Sequence, residues 1–347
     1  MIDAGTLPDA LVQLSLLAGP DDPVVSVGPP PAAPFAPRAE AVHRPMGSAR
    51  AAGLRLRGRA ANVDLLQAWS PDAMRAGREL SLASGRPLLA SLPTAGSRAE
   101  VAALAEAVGP GLLSVTVPTS AARARLLAAG LPGRSVAVLP PAARPPADRE
   151  AVRRRTRRRL GAAPDCRVLV APDALIRPSG HETAVWAFAM ARHMLGRLKL
   201  VIPGDGEAGE HVRSFAAGTG FGEEVLFTQW DLTADELLAA ADVAMFCPRR
   251  SVGAGMLAGA MAAGLAIVAS DTPDAAELAP HGEAALLAVP GSPRQAAAAL
   301  LKLLDDAELA ARLGAEASRR AAERFGPDLV RRRLKAIHAE TLDAKVF

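Results

Sequence analysis

The residues best placed to bind a ligand lie between positions 247 and 264, in the run CPRRSVGAGMLAGAMAAG. Gly253 and Gly255 stand immediately before an apolar segment with helical character. Glycine lets a ligand approach the backbone closely, and the first N–H groups of a helix form a natural anion site. Arg249 and Arg250 bring positive charge to the same loop. The pattern predicts a phosphate-binding loop, although a tight strand-to-helix connection explains each single glycine better.

Other reactive residue types form no recognisable constellation. Cys166 and Cys247 are far apart in the sequence and make no CxxC pattern, so neither a disulfide framework nor a zinc site is indicated. We therefore expect no metal.

The bulk composition limits the class of partner. The 50% apolar and 22% charged residues are typical of a folded chain with a real core. The pI is about 9.6, but the formal net charge is only +4 and aromatic residues make up 3%. Nucleic-acid binding needs clustered basic residues with stacking aromatics, so we expect no nucleic-acid partner. The arginine run from Arg153 to Arg159 could bind phosphate or nucleic acid, but we prefer a solvated helix face beside a linker.

The sequence carries no apolar run of about 18 residues, so we expect no transmembrane segment. Its first residues lack a basic region and include Asp3 and Asp9, which argues against a signal peptide. The default expectation is a cytoplasmic protein, with peripheral membrane contact left open.

The elements that must position the candidate residues alternate between short strands and amphipathic helices, which indicates an α/β protein with parallel sheets. Ligands bind beyond the carboxyl ends of the strands in such sheets. Thr119 or Ser120 and Thr233 are typical helix N-caps. Residues 29–60, rich in proline and glycine, are predicted to be irregular. Strands are predicted at 23–28, 63–69, 87–93, 112–118 and 135–141, and in CRVLVAP, LKLVIPGDG, VLFTQW, DVAMFCP and LAIVAS.

Several segments of the second half resemble, in order and spacing, the nucleotide-sugar-binding domain of glycosyltransferase family 4. They are LKLVIPGDG, ELLAAADVAMFCP, GMLAGAMAAGLAIVASD, AAEL and HGEAALLAVPGSPRQAAAALLKLLDD, followed by a terminal helix. In the first half, VDLLQAWSPDA and GRPLLASLP resemble the acceptor-side domain more loosely. The resemblance implies the GT-B fold, in which two Rossmann-like domains with parallel sheets face a cleft. It places these domains at 1–148, with the first strand missing, and at 149–325, and a helix at 326–347 that packs back toward the first domain.

The resemblance also implies a retaining transferase that takes a sugar from a nucleotide-sugar donor without a metal. The turn formed by Gly204, Asp205 and Gly206 would lie near the nucleotide. Glu277 falls where the family has a glutamate; it would cap a helix or face the cleft, and we favour capping. The remaining implied donor-site residues are Arg177, Arg249, Arg250, Ser251, Gly253 and Gly255.

The departures from the family are as informative as the matches. Aligning GAMAAG with the family's E-A-M-A-x-G puts the two expected glutamates at Ser251 and Gly259. The expected basic pair falls at Ala174 and Ser179, with Arg177 close by. None of the six histidines falls at the family's histidine position, so no catalytic residue is assigned.

These observations leave two main hypotheses open. The first is a weakly active or inactive glycosyltransferase that still binds a nucleotide-sugar or nucleoside diphosphate. The second is a non-catalytic GT-B binding module, or the partner subunit of an active glycosyltransferase. A nucleic-acid-binding role ranks far behind both.

Overall fold

The structure is a computed structural model that describes residues 25–27, 40–42, 63–69, 71–92, 113–204, 206–228, 232–251 and 253–343, with Leu17 and Leu104. Contacts divide the chain into two units. The first comprises Met1–Pro141 and Pro327–Phe347, and the second Ala142–Gly326. Each unit contains a parallel sheet with helical connections, which confirms the predicted α/β class.

The first unit holds two parallel sheets. Strands Val25–Val27 (β1) and Glu40–Val42 (β2) pair with each other. The prediction of irregular structure across 29–60 is therefore wrong at β2, where a short run free of proline keeps its N–H groups available for pairing. The main sheet has the order β3-β4-β5-β6, with strands Leu66–Ala68 (β3), Leu88–Ser91 (β4), Leu113–Val117 (β5) and Val136–Val138 (β6).

Helices Pro71–Ser84 (α1) and Ser120–Ala128 (α2) connect strands of this sheet. Thr119 is the N-cap of α2, since its hydroxyl oxygen accepts a hydrogen bond from the Ala122 amide at 3.0 Å, as one of the two predicted caps requires. The predicted helix at 97–109 lies outside the described residues, apart from Leu104.

The second unit is built on a six-stranded parallel sheet with the order β12-β11-β10-β7-β8-β9. The chain begins at the central strand β7, extends to one side through β8 and β9, and then returns to the other side of β7 at β10. The strands are Arg167–Val170 (β7), Leu198–Pro203 (β8), Val225–Thr228 (β9), Val243–Phe246 (β10), Ala266–Ser270 (β11) and Leu286–Ala288 (β12).

Eight helices described in this unit follow or connect its strands. They are Arg149–Arg159 (α3), His181–Leu195 (α4), Gly209–Gly218 (α5), Ala234–Ala240 (α6), Ala254–Ala262 (α7), Pro273–Leu278 (α8), Pro293–Asp305 (α9) and Ala307–Phe325 (α10). The predicted cap of α6 is confirmed as a capping box between Thr233 and Glu236. Helices α4 and α9 pack together, and Phe188, Leu200 and Leu300 lie fully buried in the core that they share with the sheet.

The last helix, Pro327–Asp343 (α11), belongs to the first unit, which confirms that it packs back toward the first domain. It buries Val330, Leu334 and Ile337, and His338 Nε2 lies 3.3 Å from Gln67 Oε1 on β3. Among the described residues, no helix has the length and apolar character needed to cross a membrane.

Candidate functional site

The order of strands in the second unit defines where a ligand would bind. Strand β7 pairs with β10 on one side and with β8 on the other, so the connections leave β7 and β10 in opposite directions. In open α/β sheets this reversal creates a crevice at the carboxyl ends of the two strands. The chain segments at that position are residues 171–180 after β7 and residues 247–253 after β10.

These two segments are in direct backbone contact. Gly180 has a φ of +71°, and a Cβ atom built on it would lie 1.8 Å from the Cys247 carbonyl oxygen, so no other residue fits there. The Arg249 amide donates a hydrogen bond to the Pro178 carbonyl at 3.1 Å. The predicted loop around Arg249 is thus joined to the loop that carries Arg177.

The turn after β8 joins the same cluster. A Cβ atom on Gly206 would lie 2.4 Å from the Leu175 carbonyl oxygen, and the Ala208 amide donates to that oxygen at 3.0 Å. Gly204 has a φ of +88°, and its amide donates to the Thr228 carbonyl at the end of β9. The glycines of this turn therefore have a structural reason of their own. Asp205 lies outside the described residues.

The amino terminus of α7 closes the cluster. Gly253 is the N-cap of this helix, and no side-chain cap is found among the described residues. Gly253 and Gly255 are both buried, whereas Ser251 is half-buried. The exposed residues Arg249 and Arg250 precede them. The sequence-predicted loop is therefore present, and its backbone geometry is that of a strand-to-helix connection with an accessible edge.

Sequence reasoning missed Asp173, which lies in the centre of this cluster. The Ala174 amide donates to Asp173 Oδ1 at 2.9 Å, and the Gly253 amide hydrogen-bonds to the same carboxylate. The residue is partly exposed, but its carboxylate is enclosed, and this burial raises its pKa to about 6 against the effect of the two amides. The available signal was an acidic residue three positions after a buried strand, at the edge of the sheet where ligands bind.

Two further groups with chemical potential are buried beside the loops. His181 is 3% exposed, and burial lowers its pKa to about 4, although the backbone of Ala171 and Asp173 acts in the opposite direction. Neither ring nitrogen of His181 has a hydrogen-bond partner of good geometry among the described residues. Burial raises the pKa of the Cys247 thiol to about 12, so this cysteine is not a nucleophile.

The positions where the family resemblance places charged donor contacts carry none here. Ala174 and Ser179 are buried, at 9% and 7% exposure, and have no charge. Arg177 begins a 3-10 turn, Arg177–Ser179, and is exposed. A Cβ atom on Gly259 would lie 3.1 Å from Leu238 Cδ1 on α6, so a larger side chain at 259 requires Leu238 to move.

The expectation that Glu277 caps a helix is wrong. The N-cap of α8 is Thr272, whose hydroxyl oxygen accepts from the Ala275 amide, and Asp274 is the acidic residue of the first turn. Glu277 lies at the other end, in the last turn, where its carbonyl oxygen accepts a hydrogen bond from Arg320 Nη2 at 3.0 Å. The helix is only six residues long, so the glutamate is on the chain segment predicted but at the wrong end for a cap.

The arginine run on α3 is not simply a solvated face. Arg153 Nη2 and Arg157 Nη1 bind Asp242 Oδ1 and Oδ2 at 2.6 and 3.1 Å, and Asp242 Oδ2 also accepts from the Val168 amide at 2.7 Å. Burial opposes ionisation of Asp242, but these donors lower its pKa below the usual range. Two of the arginines therefore fasten α3 to the start of β10, while Arg154 and Arg155 stay exposed.

No group of three or more histidine, cysteine or acidic side chains that could hold a metal occurs in the described ranges.

Comparisons with known proteins agree with this geometry. Residues 152–320 match the family model Glycosyl transferases group 1. A GDP-mannose-dependent alpha-(1-6)-phosphatidylinositol monomannoside mannosyltransferase of Mycobacterium tuberculosis is 33% identical over 225 residues. That match covers 60% of this chain and 57% of the relative, so the chain is matched over little more than half of the relative's length.

The fold is shared with solved structures. Anabaena Alr3699/HepE in complex with UDP and glucose superposes with a TM-score of 0.79 at 18% identity, covering 95% of each chain. A sucrose-phosphate synthase from Thermosynechococcus elongatus gives a TM-score of 0.73 at 16% identity, over 92% of this chain and 88% of that one. At these identities the likeness establishes the fold. The segment 152–320 thus belongs to the Glycosyl transferases group 1 family, on a chain with the GT-B type of architecture.

Proposed function

We propose that the chain is a retaining glycosyltransferase that binds a nucleotide-sugar donor with a weakened hold on the diphosphate. The observation that carries this proposal is the position of the α7 amino terminus. It lies at the reversal point of a parallel sheet, joined by backbone contacts to the loop after β7, within the segment that matches the family. Backbone N–H groups at such a position are suited to a diphosphate.

The mycobacterial relative is named as dependent on GDP-mannose, and HepE was solved with UDP and glucose. We therefore propose GDP-mannose as the first donor to test and UDP-glucose as the second. The printed name of the relative also makes a lipid-linked mannoside the first acceptor to test. No metal enters the proposal, because helix amides and arginines would stabilise the charge that develops on the departing diphosphate.

The residues at four positions explain why we expect slow turnover. Ser251, Gly259, Ala174 and Ser179 replace two carboxylates and two basic groups. If each lost contact costs about 1.5 kcal/mol and the losses add, the total is about 6 kcal/mol, or about 10⁴-fold in rate.

The second candidate is a non-catalytic binding module or the partner subunit of an active glycosyltransferase. It is favoured by the carboxylate of Asp173, which already occupies the Gly253 amide, and by the lack of any side chain at Gly259. This candidate differs from the first in predicting no transfer or hydrolysis of any donor.

The two candidates are separated by following release of GDP from GDP-mannose, and of UDP from UDP-glucose, with and without a phosphatidylinositol mannoside acceptor. We expect slow release with one donor, and at least ten-fold faster release by Ser251→Glu, because a carboxylate at 251 restores a contact to the donor. The matched control is Ser292→Glu at the N-cap of α9, which lies in another loop and should leave the rate unchanged. No release by either protein with either donor would exclude the transferase and leave the second candidate.

A further inference from the structure

The feature that the proposed function does not explain is the carboxylate of Asp173. A negative side chain is out of place beside amides that would bind a diphosphate. Its Oδ1 accepts from the Ala174 amide at 2.9 Å, and the same carboxylate takes the hydrogen bond of the Gly253 amide, which begins α7. Each amide has one proton, so the Gly253 amide cannot serve Asp173 and a phosphate oxygen equally well.

Given the proposed function, on which this inference rests, we propose that Asp173 is a specificity-determining residue that competes with the donor diphosphate for the start of α7. The carboxylate stands in for a phosphate oxygen at the Gly253 amide. Its charge also repels a dianionic diphosphate. It thereby favours neutral or singly charged ligands at this crevice over nucleoside diphosphates.

The surroundings keep the carboxylate in place. The segment 171–180 that carries it is held by the contact of Gly180 with Cys247 and by the hydrogen bond from the Arg249 amide to the Pro178 carbonyl. The Leu175 carbonyl accepts from Ala208 in the neighbouring turn. Because three loops fix the backbone on both sides of Asp173, moving the carboxylate away for a ligand would disturb contacts that are independent of the ligand.

Charge compensation near Asp173 is weak. The groups that stabilise the charged carboxylate are backbone amides, and burial outweighs them. The arginines of the cluster, Arg177 and Arg249, are exposed to solvent, where their charge is screened. A diphosphate entering the crevice would therefore meet a carboxylate whose charge is not cancelled by a close ion pair.

The test is a calorimetric titration of the full chain with two probes, inorganic pyrophosphate and intact GDP-mannose. The variants are Asp173→Asn, which keeps the shape and removes the charge, and Asp173→Ser, which also shortens the side chain. The matched control is Asp165→Asn, which removes one exposed carboxylate just before the start of β7, at the opposite end of that strand. Thermal melts of all four proteins confirm that they are folded.

We expect both Asp173 variants to bind pyrophosphate and GDP-mannose at least ten-fold more tightly than the wild type, and Asp165→Asn to stay within two-fold. If the wild type binds and Asp173→Asn and Asp173→Ser bind with the same affinity, the inference is overturned while the proposed function stands. If pyrophosphate binds more tightly to the variants but GDP-mannose and UDP-glucose bind to none, the inference holds and the proposed function fails. If no folded protein binds any probe at millimolar concentration, both are overturned.

Discussion

At the scale of single residues, two neighbouring ionisable groups are buried with opposite consequences for stability. Burial raises the pKa of Asp173 to about 6 and lowers that of His181 to about 4. As the pH falls from 6.5 to 4, the unfolded chain protonates His181 before the folded chain does, which reduces stability. Over the window from 6 to 4, the folded chain protonates Asp173 first, which increases stability. The two contributions therefore cancel in large part in the wild type.

The variants separate these contributions. Relative to the wild type, His181→Leu should gain up to about 3 kcal/mol in free energy of unfolding as the pH is lowered from 6.5 to 4, because only the stabilising protonation of Asp173 remains. Asp173→Asn should lose a similar amount over the same range. Urea unfolding at five pH values measures both slopes.

The control is His193→Leu, since His193 is exposed on the same helix, and its curve should run parallel to that of the wild type. Parallel curves for His181→Leu and the wild type would show that the ring of His181 titrates normally, against our expectation.

At the scale of elements, the structure is fixed by contacts that no local sequence pattern reveals. The capping box at Thr233 could be predicted, because its partner is three residues away. The role of Arg153 could not, because its partner Asp242 is 89 residues further along the chain. Asp173 was missed for the same reason, since its partner amide at Gly253 is remote in sequence. The predicted cap at Glu277 failed because Thr272 starts α8 and leaves the glutamate at its end.

One prediction concerns the attachment of α3. Asp242→Asn should lower the free energy of unfolding by about 3 kcal/mol, because Arg153 and Arg157 lose a largely buried carboxylate and keep their charges. Asp305→Asn, a change at the last residue of α9, should cost less than about 0.5 kcal/mol. Chemical denaturation at pH 7 gives both values, and equal losses would mean that the Asp242 cluster adds nothing to stability.

A second prediction concerns the contact of α10 with the turn after α7. A Cβ atom on Gly314 would lie 2.5 Å from the Gly264 carbonyl oxygen, which is backbone and cannot turn aside. Gly314→Ala should therefore destabilise the protein by about 1–3 kcal/mol despite the better helix propensity of alanine.

Gly218→Ala is the matched change, because position 218 ends α5 and no atom lies within 4 Å of the added Cβ. It should be neutral or stabilising in the same thermal melts. A destabilisation of equal size at both positions would show that helix propensity, rather than the approach of α10, decides the outcome.

At the scale of the whole molecule, the alternation of strands and helices was enough to predict two parallel sheets and a returning terminal helix. The family resemblance then predicted where a donor would bind. The state of that site could not be predicted, because it depends on which loops meet at the reversal point. The structure brings together the loops of Arg177, Gly206 and Arg249 through backbone contacts, and it adds Asp173 to them.

The central claim is that the crevice at the carboxyl ends of β7 and β10 still accepts a nucleotide diphosphate. Hydrogen–deuterium exchange with and without saturating GDP-mannose tests it most directly, because it reports both binding and its location. The account predicts slower exchange in residues 171–180 and 253–258, with no change in α3. Protection confined to other segments, or no protection with GDP-mannose or UDP-glucose at millimolar concentration, would contradict it.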